Sequence, residues 1–270
     1  MSIKSELTKT TSYLRETRNA IKARGGQISD TAGLKDLPEA INSIPSGGIS
    51  DNSKIAKIVD GSIVDLTEDD LRGATKIKSY LFRDCLSLNS IEIPNGVTTI
   101  GTYAFDNSSL KRIRIPDTLQ EIQNSAFEDV EGADVHIADI AKWCEMSVGK
   151  NTSSPFNNSG NLYLDGELIT ELTIPNTVTA ILKYVFYYCA SITRVVFPNS
   201  LKTLGAWAFG YCVNCLEYDF TAATSVPTLE ASTVFRYLNE ACKFKVPATL
   251  YDEWVATTNW TNYAAQIVAV

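Results

Sequence analysis

The chain has 270 residues, 44% of them apolar, which is enough to bury a sizeable core. Its net charge of −7 is uneven: residues 1–50 hold seven Lys/Arg against five Asp/Glu, and the remainder holds 17 against 26. Phosphate binding needs clustered cations and a membrane span needs about 18 consecutive apolar residues, so nucleic-acid partners and membrane insertion are excluded.

Ile3, Leu7, Leu14 and Ile21 recur at spacings of four and seven, so residues 3–24 read as an amphipathic helix. Its apolar seam is thin. It fits either a helix lying on its neighbour or a short coiled coil that forms a homo-trimer or docks onto a larger assembly. Gly25 and Gly26 break it. A second helix over about 36–44 begins at Asp36 as N-cap, with Glu39 completing a capping box and Pro38 in the first turn. The opening residues contain no apolar h-region, so synthesis without a secretory signal peptide is expected. Residues 1–45 thus form a helical module for attachment or oligomerisation, and the composition of PSGGISDNS makes 46–54 a linker.

From residue 55 the chain repeats itself. SLNSIEIPNGVTTIGTYAFDNS is followed 22 residues on by SLKRIRIPDTLQEIQNSAFEDV. Leu88, Ile91, Ile93, Pro94, Val97, Ile100, Ala104 and Phe105 map onto Leu110, Ile113, Ile115, Pro116, Leu119, Ile122, Ala126 and Phe127. A period in the twenties that preserves apolar spacing is the signature of a solenoid. The motif Phe recurs as Phe82, Phe105, Phe127, Phe156, Phe186, Phe209 and Phe235, at spacings of 23, 22, 29, 30, 23 and 26. The two long intervals bracket an irregular insertion at 131–166. Ile91 and Ile93 alternate with Ser90 and Glu92, so they point inward from a short strand that Pro94 ends. Ile100, Ala104 and Phe105 suit a tight helical turn on the opposite side. Seven stacked coils predict one parallel sheet roughly 30–35 Å long. The solenoid occupies 55–245 and a cap 246–270. In the cap Phe244 to Val246 form the last strand, Leu250, Tyr251, Trp254 and Val255 share a helical face, and Trp260, Tyr263 and Ile267 close the last coil.

Catalytic chemistry has little to build on. The one histidine, His136, falls where a repeat strand should run, and reads as structural. Cys85, Cys189 and Cys212 all stand three residues after the motif Phe, which makes them a small buried repeat position. Cys212 and Cys215 form a lone C-x-x-C, with Cys144 and Cys242 in other repeats, so neither metal nor cofactor is expected. Most thiols should be free. Glu68, Asp69 and Asp70 read as a solvated turn or helix cap rather than as glycosidase carboxylates facing across a cleft.

A column of aromatics remains. Two residues before the motif Phe stand Tyr80, Tyr103, Tyr184 and Trp207, with Ser125 and Thr233 the exceptions, and Tyr187, Tyr188 and Tyr211 crowd the following turn. If the motif Phe points inward, the column points largely outward. Either the rings stack on one another and shield the coil edge, or they hold a carbohydrate or protein ligand.

The pattern L-x-x-I-x-I-P-x-x-V-x-x-I-G-x-x-A-F is read at residues 88–105, 110–127, 169–186 and 192–209, and resembles the BspA-like leucine-rich repeats of bacterial surface and phage proteins. It departs from the commoner leucine-rich repeat at Gly96 and Thr118, where an Asn or Cys ladder would stand. The resemblance implies a β-rich α/β fold, a right-handed leucine-rich-repeat solenoid with short parallel strands, used for binding and lacking catalytic residues. A helical N-terminal module, a Gly-Gly linker and no signal peptide are together similar to phage or prophage tail proteins. The expected function is therefore a non-enzymatic virion component. It would contact a bacterial surface receptor, glycan or protein, while residues 1–45 attach to a tail or baseplate protein. The alternative is an extracellular, cell-surface adhesin for host or matrix ligands, and a glycan-acting enzyme comes third.

Overall fold

The computed structural model describes residues 64–270. The helical module, the linker and the first residues of the repeat region lie outside the described residues.

Each coil lays down one strand in a main sheet and a shorter one in a narrow sheet. In the first half, Val64–Leu66, Leu88–Glu92, Arg112–Arg114, Asp134–Ile137 and Asn161–Leu164 run parallel. The register places Ile91, Ile113, Val135 and Leu162 in one inward row, each less than 1% exposed. Single coils cannot enclose such residues. Each fully buried large apolar side chain is worth about 1.5–3 kcal/mol, and nearly all of that comes from the coils above and below. Ser90, expected to face outward, is buried, because Asp65 accepts its hydroxyl hydrogen and Arg112 covers it.

Ile100 does not begin a helical turn. Thr99–Ile100 is a two-residue strand in the narrow sheet, aligned with Lys76–Ile77, Glu121–Ile122 and Ser147–Val148. The motif Ala and Phe then sit in tight turns whose backbone bonds run to the next coil. Phe82 N–H donates to Ala104 O at 2.7 Å, and Phe105 N–H to Ala126 O at 2.8 Å. All seven motif phenylalanines are fully buried, and their rings stack within each half, Phe105 on Phe127 at 5.0 Å and Phe186 on Phe209 at 5.1 Å, while Phe156 between them meets Trp143 edge-on instead.

The expected single sheet is two. A hairpin pairs Glu167–Leu168 antiparallel to Asn161–Leu164, and so occupies the edge the next coil would have used. A second main sheet starts afresh with Glu171–Thr173 and continues through Arg194–Val196, Glu217–Asp219 and Lys243–Val246. The narrow sheet breaks at the same place and resumes as Ala180–Ile181, Thr203–Leu204 and Thr228–Leu229.

Most of residues 131–166 is a coil in register rather than an insertion. Val135 pairs with Ile113, and Ser147–Val148 pairs with Glu121–Ile122. What replaces the Pro turn is a short helix, α1 (Ile140–Cys144), capped by Asp139, whose carboxylate accepts from Ala141 N–H at 2.7 Å and Lys142 N–H at 3.1 Å. Its Trp143 is buried and reaches across the break, donating from Nε1 to Val185 O at 3.1 Å.

At the near end Thr67 and Asp70 form a capping box on the 3-10 turn Glu68–Leu71, so the acidic run is a cap. At the far end, helix α2 (Tyr251–Ala256) buries Trp254, and Trp260 and Tyr263 close over the core. Lys243–Val246 is not the last strand: Ile267–Ala269 pairs parallel to it and finishes the sheet.

Candidate functional site

The turns around the motif Phe take a left-handed backbone two residues after the Phe in all seven coils and two residues before it in five. Two residues before the Phe, φ is +63° at Tyr80, +55° at Tyr103, +57° at Ser125, +62° at Tyr184 and +61° at Trp207. Two residues after it, Asp84, Asn107, Asp129, Asn158, Tyr188, Tyr211 and Tyr237 all have φ between +51° and +66°. Only glycine, and less readily Asn and Asp, takes this region cheaply. Adjacent coils superpose equivalent positions, so side chains at these positions form rows up the edge of the stack.

The expected residues fall into two groups rather than one column. Tyr80 and Tyr103 stack at 5.4 Å, with the Arg83 guanidinium 5.8 and 5.6 Å from their ring centroids. Arg83 is also paired to Asp106 at 2.8 Å and Asp84 at 3.6 Å. Burial raises the Asp106 carboxyl above its ordinary value, against the pull of Arg83. The row is then interrupted: Ser125 is fully buried, its N–H donating to Ser153 Oγ at 3.0 Å.

Tyr184, Tyr187, Tyr188, Trp207 and Tyr211 form the second group. Within it Tyr187 is not an outward residue. It is 5% exposed and makes edge-on contacts to Tyr184, Tyr188, Trp207 and Tyr211 at 4.7–5.8 Å, so it is the hub of the group. Burial pushes its hydroxyl well above the usual tyrosine value, even with a hydrogen bond to Asn151. Gly210 makes this packing possible, because a Cβ there would lie 2.7 Å from Trp207 Cε3 and 3.1 Å from Tyr187 Cδ2.

Sequence reasoning missed Tyr237. It is 51% exposed and stacks on Tyr211 at 4.2 Å, which in turn stacks on Tyr188 at 4.3 Å. Its signal was present, since it follows Phe235 by two as Tyr188 follows Phe186 and Tyr211 follows Phe209. The three phenols form a hydrogen-bonded row. Burial and bonds to its two neighbours raise the Tyr211 hydroxyl, while hydrogen bonds to Arg236 and Tyr211 lower that of Tyr237. The Arg236 guanidinium lies 5.2 Å from the Tyr237 ring centroid.

This arrangement offers ring edges, phenol hydroxyls and a cation, which suit binding. The other chemistry-bearing residues are committed elsewhere. His136 stacks on Tyr163 at 4.4 Å, and burial together with Arg112 lowers its pKa. All six cysteines are buried free thiols, and burial pushes Cys189 up to about 12 and Cys212 well above its ordinary value. Cys215 hydrogen-bonds to Cys242 of the next coil. Among the described residues no group of three or more His, Cys, Asp or Glu is placed to hold a metal ion, and no helix is long and apolar enough to cross a membrane.

No curated protein matches the chain. Among solved structures it is similar to a leucine-rich repeat protein of Bacteroides ovatus, at 19% identity and a TM-score of 0.40, over 71% of this chain and 50% of that one. It thus spans half the length of that protein. A leucine-rich repeat protein of T. pallidum matches at 22% identity and a TM-score of 0.32, over 69% of this chain and 72% of that one. A leucine-rich cell surface protein of Faecalibacterium prausnitzii matches at 15% identity and a TM-score of 0.27, over 70% and 73%. At these identities and TM-scores the likeness says nothing about function. The BspA-type leucine-rich repeat region, by contrast, matches in six copies over residues 75–162 and 158–252, more than half of the chain, and the chain belongs to that family.

Proposed function

We propose that this chain is a non-enzymatic recognition protein of the adhesin type, acting at a bacterial surface, and that Tyr184, Tyr188, Trp207, Tyr211 and Tyr237 receive its ligand. One observation carries the reading. The same left-handed position holds Asp84, Asn107, Asp129 and Asn158 in the early coils and Tyr188, Tyr211 and Tyr237 in the last ones. The backbone is content with Asp or Asn, so the turn does not require the rings. Strained bulky residues at repeated surface positions are what a binding site retains. Membership of the BspA-type family supports the class of function. The tail-component reading rests on residues 1–45, which lie outside the described residues, and no observation on the described residues favours it over the adhesin. The carboxylates that do converge, Glu171, Glu217 and Asp219, are each paired to Arg194, which favours a structural role over a glycosidase pair.

The test is binding of the labelled chain to bacterial cells and to immobilised host matrix proteins. The double variant Tyr184→Ala, Trp207→Ala is expected to lose binding while keeping its circular dichroism spectrum. Unchanged binding by a folded double variant would refute the site.

A further inference from the structure

The position immediately after the motif Phe also forms a row: Arg83, Asp106, Glu128, Asn157, Tyr187, Gly210 and Arg236. At the near end this row neutralises itself, because Arg83 meets Asp106 of the next coil at 2.8 Å. At the far end the coil before Arg236 offers Gly210, and the one before that Tyr187. Arg236 is exposed and makes no ion pair among the described residues. Packing prevents a counter-ion from being supplied at the neighbouring position, since any side chain at Gly210 would collide with Trp207 and Tyr187. The two aromatic groups therefore differ in charge, the first compensated and the second carrying an open guanidinium beside three phenols.

Ligand class follows from what else is open there. Tyr188 N–H donates to Gly210 O and Tyr211 N–H to Arg236 O, each at 2.9 Å, so these main-chain donors are spent within the stack. An incoming peptide strand would find no ladder to join at Tyr188 or Tyr211, and only the Tyr237 N–H at the end of the row. The Tyr188, Tyr211 and Tyr237 rings cover one another's faces at 4.2–4.3 Å, which leaves their edges and hydroxyls outward. A row of hydroxyls ending in a guanidinium matches a ligand rich in hydroxyls that carries a carboxylate, with the guanidinium making the stronger, charge-assisted bond.

We propose that the far aromatic group selects a carboxylate-bearing saccharide of the uronic-acid type, held by Arg236 together with the hydroxyls of Tyr188, Tyr211 and Tyr237. This rests on the reading of that group as the ligand site.

The experiment is titration of the full chain with polygalacturonate and with its methyl ester, which keeps the sugar and removes the charge. The acid form is expected to bind at least tenfold more tightly than the ester. Arg236→Gln should abolish that preference and Arg83→Gln should leave it intact, both variants remaining folded by circular dichroism. Equal binding of acid and ester, or a preference that survives Arg236→Gln, overturns the charge selection. Poly-L-glutamate binding more tightly than polygalacturonate assigns an acidic peptide instead and overturns the saccharide class. If neither polysaccharide binds, yet the Tyr184, Trp207 double variant still loses cell binding, this inference fails and the aromatic site stands.

Discussion

Tyr237→Asn separates a structural ring from a functional one. Tyr237 is half exposed and takes stacking contacts from Tyr211 at 4.2 Å and, more distantly, Trp207 at 6.3 Å, with one cation contact from Arg236 at 5.2 Å. An aromatic pair of this kind is worth about 0.5–1.5 kcal/mol, and an exposed cation contact about 0.5–1 kcal/mol. Against this, φ at Tyr237 is +60°, a conformation costing a bulky residue about 1–2 kcal/mol that Asn bears more easily. Asn already occupies the equivalent position at Asn107 and Asn158, both with φ of +51° to +55°. Relief offsets much of the loss, so the variant should lie within about 2 kcal/mol of the parent. Phe235→Ala, two residues away at a fully buried position, should by contrast cost about 3–5 kcal/mol. Urea unfolding followed by circular dichroism measures both, and cell binding is measured alongside. A Tyr237→Asn cost approaching that of Phe235→Ala would make the ring part of the scaffold and sink the argument. A small cost with undiminished binding would sink it equally.

Three more outcomes follow from the packing. Gly205→Ala puts a Cβ 2.4 Å from Lys183 N in the preceding coil, and should cost about 2–3 kcal/mol. Gly166→Ala, strained at φ +88° but with nothing within 4 Å, should cost about 1 kcal/mol, so equal costs in denaturant unfolding would contradict the close-approach account. Trp143→Phe removes the bond to Val185 O across the sheet break and leaves a void where the buried indole exceeds the phenyl ring, so it should cost about 2–4 kcal/mol, visible as loss of amide exchange protection on both sides of the break. Protection unchanged at Val185 and its neighbours would refute that role for Trp143. The thiols of Cys189 and Cys212 should resist alkylation until the chain unfolds. Because burial raises both folded pKa values, the stability they contribute is complete below the unfolded thiol range near 8.5 and declines as pH rises above it, for Cys189 toward about 12. A melting temperature that climbed between pH 8 and 10 would contradict this sign.

The inward half of each coil was legible because burial selects for one property. Leu88, Ile91, Ile93 and Phe105 are apolar wherever they recur, and all are buried. Left-handed positions were not legible, since Tyr, Trp, Asp, Asn and Ser share no property except tolerance of the same φ. Tyr80, Tyr103, Tyr184 and Trp207 before the Phe and Tyr188 and Tyr211 after it are named from the sequence, but Tyr237, which continues the second row one coil further on, is passed over. Tyr187 was misplaced for the complementary reason: Gly210 opens the space into which it folds, and that space exists only once two coils are stacked. The sheet break did have a local signal. Asp165 and Gly166, at φ +49° and +88°, make a tight hairpin turn between LYL and EL, the pairing for which Asp-Gly is favoured.

Tension along the stack loads the bonds between coils in series, because those bonds run parallel to the long axis. Within each half, adjacent coils share backbone ladders in both a main and a narrow sheet. Across the break the ladders are absent. The join relies on Trp143 Nε1 to Val185 O, Ser154 Oγ to Tyr187 O, Leu162 N–H to Ser191 Oγ, and two backbone bonds, Leu182 N–H to Cys144 O and Ala190 N–H to Gly160 O. A pull that breaches this join leaves the sheet beneath Trp207, Tyr211 and Tyr237 hydrogen-bonded to its own cap. The break is therefore where the stack should part first under load, with each half keeping its own ladders.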